Sequence, residues 1–157
     1  MLVKYLLIFL VSMVPLIELR GAIPIAMGMD LQYFPSLVIC VIGNLLPVPI
    51  IYFFARKVLV WGADKKIIGK FFRFCLEKGE KGGQKLVHKA GRGGLFIALM
   101  LFVGIPIPGT GAWTGTLAAS FLNMGIKSTA AAVSLGVIIA GILMGLASTG
   151  VFNIIGF

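Results

Sequence analysis

The chain has 157 residues, 59% of them hydrophobic and 12% charged, with a mean hydropathy of +1.07. That composition lies well outside the range of soluble globular domains and reads as an integral membrane protein. Fourteen Lys and Arg against five Asp and Glu give a net charge of +9, but eleven of the basic residues fall between Arg56 and Arg92. Such clustering between apolar blocks is the Lys/Arg excess of a cytoplasmic loop, not a nucleic-acid surface.

Charge-free runs cover 5–17, 31–55, 93–126 and 128–157, and the last three reach the roughly 20 residues a helix needs to cross a bilayer core. Residues 1–34 form a broken apolar segment. Pro15 and Pro24 each remove a backbone donor and clash with the preceding turn, which predicts a helix, a break and a helix. Lys4 followed by YLLIFLVSMV imitates a signal peptide, but no small-residue cleavage site follows, so the segment is read as part of the membrane domain. Residues 35–55 read as a transmembrane helix with Pro35 in its first turn and Trp61 beyond its end at the interface. Within it GNLLPVP, with Gly43, Asn44, Pro47 and Pro49, predicts a kink with freed carbonyls at mid-depth.

Residues 56–92 are the basic cytoplasmic segment. From Asp64 to Leu76, Ile67, Ile68, Phe71 and Phe72 oppose Lys65, Lys66, Lys70 and Arg73, the pattern of an amphipathic interfacial helix. A stretch punctuated by Gly and Lys, EKGEKGGQKLVHKAGRGG, then leads back to the membrane, with His88 solvated. Residues 93–125 form the second broken segment, centred on GIPIPGTGAWTG. Residues 126–151 are a second transmembrane helix, in which Ala132, Gly136 and Ala140, and separately Gly141 and Gly145, make small-residue stripes for close helix contact.

The two halves correspond. Each has a broken segment followed by a transmembrane helix, and the interval from Pro15 to Gly43 equals that from Pro108 to Gly136. Corresponding broken segments point to an inverted repeat with a site near mid-membrane. Two topologies stay open. Lys127 favours re-entrant hairpins that return to the side they entered, whereas Lys4 favours full crossings.

A charge at the centre of a membrane helix costs about 2.5–3.5 kcal/mol on insertion, so Glu18 and Arg20 must face something polar. Arg20 carries a fixed fork of donors suited to phosphate or carboxylate. Glu18 either pairs with Arg20 or binds and releases a proton. The second segment has no charge but offers the hydroxyls of Thr110, Thr114 and Thr116 and the exposed backbone of Gly109, Gly111 and Gly115. A half-helix starting near Gly111 would turn its free amides and positive dipole end toward an anion. A phosphate-loop reading fails, because Thr110 stands where the motif requires Lys. Catalysis has little support: there is one His, and the two cysteines, Cys40 and Cys75, have no metal-ligand spacing. No cofactor is expected, and the chain is not read as an enzyme.

PLIELRGAIPIAMG, followed later by GRGGLFIALMLFVGIPIPGTGAWTGTLAA, resembles the small multidrug export protein family, itself similar to the DedA and VTT-domain membrane proteins. The matching residues are Glu18, Arg20, Gly21 and Pro24 in the first block. In the second they are Pro106, Pro108, Gly109, Thr110, Gly111, Trp113, Thr114 and Gly115. The resemblance implies two re-entrant hairpins meeting inside the membrane and a role in lipid or small-molecule translocation. DedA proteins carry further arginines in their second half, and 93–126 has none.

The expectation is therefore an all-α integral membrane protein of the cell membrane, plasma or inner, multi-pass, with 56–92 cytoplasmic between two Pro/Gly-broken re-entrant hairpins, each followed by a transmembrane helix. Its expected function is that of a transporter or lipid translocase, flippase- or scramblase-like. It would move a lipid headgroup or small anionic molecule through a cavity lined by the residues above together with Asn44 and Thr116. Expected partners are membrane lipids, a coupling proton and a second copy in a homodimer, with 128–151 as the contact and no nucleic acid. An ion channel and a non-transporting structural or assembly factor are the alternatives.

Overall fold

The computed structural model describes residues 1–107 and 109–155, with backbone alone at 75, 78–80, 82, 83, 86, 87 and 151–155. Expectations for Pro108 and for the Cys75 side chain lie outside the described residues. Seven helices follow in order among the described residues: α1 (Leu2–Met13), α2 (Glu18–Gly28), α3 (Tyr33–Leu45), α4 (Val48–Ala63), α5 (Gly69–Gly104), α6 (Ala112–Phe121) and α7 (Ile126–Ile155).

Helix lengths separate two classes. Tyr33–Ala63, which is α3 and α4 joined across a bend at Leu46 and Pro47, and Ile126–Gly150 are long and apolar enough to cross a membrane. By contrast α1, α2 and α6 have 12, 11 and 10 residues. At about 1.5 Å per residue they reach roughly 15–18 Å, about half of a hydrocarbon core near 30 Å thick.

Each short helix belongs to a hairpin. Lys4 at the start of α1 donates from Nζ to the Met29 carbonyl just past α2, at 2.9 Å, so the chain has folded back on itself. The C-terminal part of α5 and α6 make the second hairpin, with α6 lying against α4. Ser120 Oγ donates to the Tyr52 carbonyl at 3.3 Å, the Tyr52 hydroxyl donates to the Met124 carbonyl, and Arg56 donates to the Asn123 side chain. The far end of α6 is thus level with the start of the basic segment. Tyr33, at the other end of the α3–α4 rod, donates to the Gly141 carbonyl at 3.1 Å, so α7 runs antiparallel to that rod.

Three features differ from the sequence reading. Pro24 does not break the chain; it lies inside α2, and the break falls at residues 14–17 around Pro15. An interior proline removes only the hydrogen bond to the carbonyl four residues back, a loss that packed membrane helices absorb. The Gly- and Lys-punctuated stretch is helical and belongs to α5, because good helix formers separate its glycines. Its one departure is Gly91, at φ 71° and ψ 176°, a left-handed kink that only glycine adopts without strain. The helix expected from Asp64 starts instead at Gly69, after a turn in which Lys65 sits 4.4 Å over the Trp61 ring.

The core runs through α2, α3 and α7, with α1 packed on α2 and α3 and α5 packed on α7, around Ile8, Leu19, Ile23, Cys40, Val103, Val133 and Val137, each almost fully buried. Small residues let those backbones approach. A Cβ on Gly136 would collide with the Met100 carbonyl and Val103, one on Gly141 with Leu37, and one on Gly145 with Tyr33. The stripes expected to mediate a dimer contact are therefore occupied within the chain. Large apolar side chains such as Phe34, Ile50, Phe54 and Leu146 are instead exposed on the outside.

Candidate functional site

The two breaks meet at Glu18 and Arg20. Glu18 opens α2 and is only 4% exposed. Its Oε2 accepts the Ala112 amide and its Oε1 the Trp113 amide, both at 3.0 Å. These are the first two amides of α6, which have no partner inside their own helix. A carboxylate there also meets the positive end of the helix dipole. Hydrogen bonds to a charged group contribute about 1.5–3 kcal/mol each.

Arg20 performs the opposite task at the end of α5. Its Nη2 converges on the carbonyls of Val103 (3.0 Å), Ile105 (2.9 Å) and Thr110 (2.9 Å) and on Thr110 Oγ1 (3.0 Å). The last carbonyls of a helix lack amide partners and carry partial negative charge, so a guanidinium suits them. Thr110 Oγ1 lies within donating distance of the Ile105 and Ile107 carbonyls, at 3.0 and 2.9 Å, and knits the turn. Glu18 and Arg20, two positions apart in one helix, thus direct their hydrogen bonds to opposite ends of the second break rather than to each other.

Glycines fix the approach. A Cβ on Gly111 would occupy the place of the Glu18 carboxylate. Gly109, at φ 87°, holds the left-handed turn that brings Thr110 back toward Arg20 and that L side chains disfavour.

A cavity of about 220 Å³ opens beside this clamp, walled by Pro15, Leu16, Glu18, Arg20, Trp113 and Thr114 among others. On its inner side a small void is bordered by Asn44, Glu18, Arg20 and Val137. There Arg20 Nε and Asn44 Oδ1 are buried without a hydrogen-bond partner among the described residues. On the other side Trp113 and Leu117 also wall an apolar groove of about 350 Å³ between α4 and α6, with Ile51, Ala55, Leu59 and Phe72. The Trp113 indole is fixed by its Nε1, which donates to the Met13 carbonyl at 3.1 Å.

Of the residues singled out in the sequence, Glu18, Arg20, Asn44, Gly109, Thr110, Gly111, Trp113 and Thr114 come together here. Others serve packing. Gly21 sits against Ile17 and Gly115 against Val103 and Leu99, while Pro24 lies within α2. Thr116 is buried with its hydroxyl unpartnered among the described residues. Pro106 lies in the second break and is partly buried. The sequence reading passed over Leu16, Ala112 and Leu117. Leu117 follows Trp113 by four positions and so shares its helix face, a periodicity visible in the sequence. Among the described residues no three His, Cys, Asp or Glu side chains gather in a way that would hold a metal.

No curated protein and no solved structure matches the chain. Residues 18–143 match the model of the family described as "Putative small multi-drug export protein"; the chain belongs to that family, and its apolar helices and family description together make it a membrane protein with a role in export.

Proposed function

We propose that the chain is a transporter or lipid translocase of the cell membrane, with 56–92 cytoplasmic. In this reading a lipid headgroup or small anionic molecule passes through the cavity beside Glu18 and Arg20, between two re-entrant hairpins that form an inverted repeat. The observation that carries it is the cavity itself: about 220 Å³ with a carboxylate and a guanidinium in its wall where two half-length helices end. Burying ionisable groups at membrane depth is costly, and it marks pathways and relays.

Re-entry is supported by the levels at which the hairpins end. Arg56 and Asn123 lie together, so the second hairpin leaves the membrane on the side of the basic segment. Lys4 and Met29 lie together at the first. Similar pairings on both sides, α1 with α2 and α3, and α5 with α6 and α7, support the repeat and, with it, the likeness to DedA and VTT-domain proteins. Glu18 is the acid available to carry a coupling proton. Protonation would take a carboxylate acceptor from the Ala112 and Trp113 amides and free the start of α6 beside its charged neighbour, Arg20. A homodimer remains part of the proposal, through a face other than the small-residue stripes.

Reconstitution tests this directly. Flux of labelled phospholipid, polyprenyl phosphate and protons is followed in liposomes holding the wild type, Glu18→Gln or Arg20→Ala, each checked for helix content. The expected result is wild-type flux reduced at least about tenfold, or about 1.4 kcal/mol, in both variants. Unchanged flux in both would sink the site. A second reading, a non-transporting structural clamp, is favoured by the hydrogen bonds that commit both charges to helix ends, and it predicts folded wild-type protein with no flux at all.

A further inference from the structure

The polar cavity and the apolar groove share a wall. Trp113 and Leu117 border both, so a molecule with its head beside Glu18 and Arg20 needs only to pass that wall for its body to lie between α4 and α6. We propose that the two compartments are one site for a single amphiphile, with a zwitterionic head in the cavity and one apolar chain in the groove. This rests on the transport reading and names its substrate class.

Charge decides the head. Glu18 and Arg20 stand in the same cavity wall with opposite signs, and each is already balanced by a helix end. A head of one sign would meet a like charge there as well as an unlike one, in surroundings of low dielectric where both act strongly. A head carrying both signs finds a partner for each. The groove supplies the other half of the molecule: Ile51, Ala55, Leu59, Phe72 and Phe121 offer carbon and aromatic surface, which favours an apolar chain at about 25 cal/mol per Å² removed from water. The two volumes together fall within the range of about 300–1,000 Å³ usual for small-molecule sites. Trp113, held by its bond to the Met13 carbonyl, stands between head and chain.

Trp113 is also the reporter. The chain has two tryptophans, and Trp61 lies outside both compartments, so Trp61→Phe leaves Trp113 as the sole indole. The full-length Trp61→Phe protein, in micelles of a non-ionic maltoside detergent, is titrated with chain-brominated lysophosphatidylcholine. A fatty acid and an alkyltrimethylammonium of equal brominated chain are titrated in parallel. Bromine quenches indole fluorescence on contact.

The expected result is saturable quenching by the zwitterion, with its midpoint about tenfold lower in micellar mole fraction than for either singly charged probe, a difference of about 1.4 kcal/mol. Ala55→Phe, which fills the groove from α4 and leaves the clamp untouched, should abolish saturation. Val58→Phe makes the same test one turn further along should Ala55→Phe lose its helix content. Quenching that rises linearly and equally for all three probes overturns the site, as does saturation that survives both groove variants. A singly charged probe that saturates first overturns the head assignment. Flux without saturable quenching defeats this inference and leaves transport standing; saturable quenching without flux does the reverse.

Discussion

The two breaks solve the same problem by different means. At the first, α1 ends at Met13 and α2 begins at Glu18, and the short gap closes on its own backbone. The Val14 amide bonds the Val11 carbonyl, the Glu18 amide the Val14 carbonyl and the Gly21 amide the Ile17 carbonyl. Leu16 and Glu18 accept positive φ to make this turn, at 75° and 50°. At the second, residues 105–111 include Pro106 and Pro108, which have no amide to give, and the gap is too wide for local bonds alone. Its two ends are completed from outside, by Arg20 and Glu18. The charges therefore stand in one half and act on the other. The terminal groups of a broken helix need partners, and here an acid and a base placed two apart serve both ends at once.

The largest effect should come from Arg20. Arg20→Met leaves the carbonyls of Val103, Ile105 and Thr110 without their shared donor and Glu18 without its neighbouring cation. Arg20 is half-buried, and hydrogen bonds from its charged head contribute about 1.5–3 kcal/mol each, so a loss of about 3 kcal/mol is expected. Thermal unfolding in detergent, followed by circular dichroism, should show Tm falling by roughly 10 °C for a chain of this size. Arg20→Lys should recover less than half, since an ammonium lacks the planar fork. A fall of less than about 2 °C in Arg20→Met would mean that the second break, like the first, holds itself.

Glu18→Gln comes next and asks the question amide by amide. Glutamine keeps one acceptor but turns an NH₂ toward the other α6 amide, a loss of about 1.5–3 kcal/mol. Hydrogen exchange should speed up about 10- to 100-fold at Ala112 and Trp113. The Gly21 amide at the first break, bonded to its own turn, should change little. Equal acceleration at both breaks would show that they open as one unit, and the contrast between them would fail. Gly111→Ala is expected to cost about 1–3 kcal/mol, because its Cβ displaces the carboxylate from the α6 amides. Gly28→Ala, with nothing within 4 Å of the added carbon, should stay within about 0.5 kcal/mol.

Much of this arrangement was legible in the sequence, up to a definite point. Pro15 marks the first break and GIPIPGTG the second, and the start of a half-helix near Gly111 with a taste for an anion follows from glycine and dipole chemistry. What the sequence withheld was the identity of that anion. Residues two apart point to different sides of a helix, and Glu18 and Arg20 diverge because α2 runs on regularly past Glu18, whose own φ is 50°. Pro24 hid that regularity, since a proline reads as a break unless neighbouring helices absorb the lost bond. The small-residue stripe of α7 carries a similar ambiguity: Gly136 and Gly141 demand a close neighbour, but only the fold identifies it as α5 and α3 rather than a second chain. The groove joined to the cavity was out of reach because Ala55 and Leu117 are far apart in sequence and ordinary in type.

The smallest effects give the sharpest comparison, because they test backbone strain at each break with little change in contacts. Leu16 is 82% exposed at φ 75°, and a left-handed L residue costs about 1–2 kcal/mol. Leu16→Gly removes that strain but widens the unfolded ensemble at a cost of about 0.4–1 kcal/mol, so net stabilisation near 0.5 kcal/mol is expected. Gly109→Ala runs the exchange backwards at φ 87° with open space around the new carbon, and should destabilise by a similar amount. The two sites touch different turns, so the double variant should return close to wild type, within the roughly 0.3–0.5 kcal/mol by which independent sites add. A larger discrepancy in denaturant unfolding would mean that the two breaks are coupled through the Glu18–Arg20 clamp, so that strain relieved at one is felt at the other.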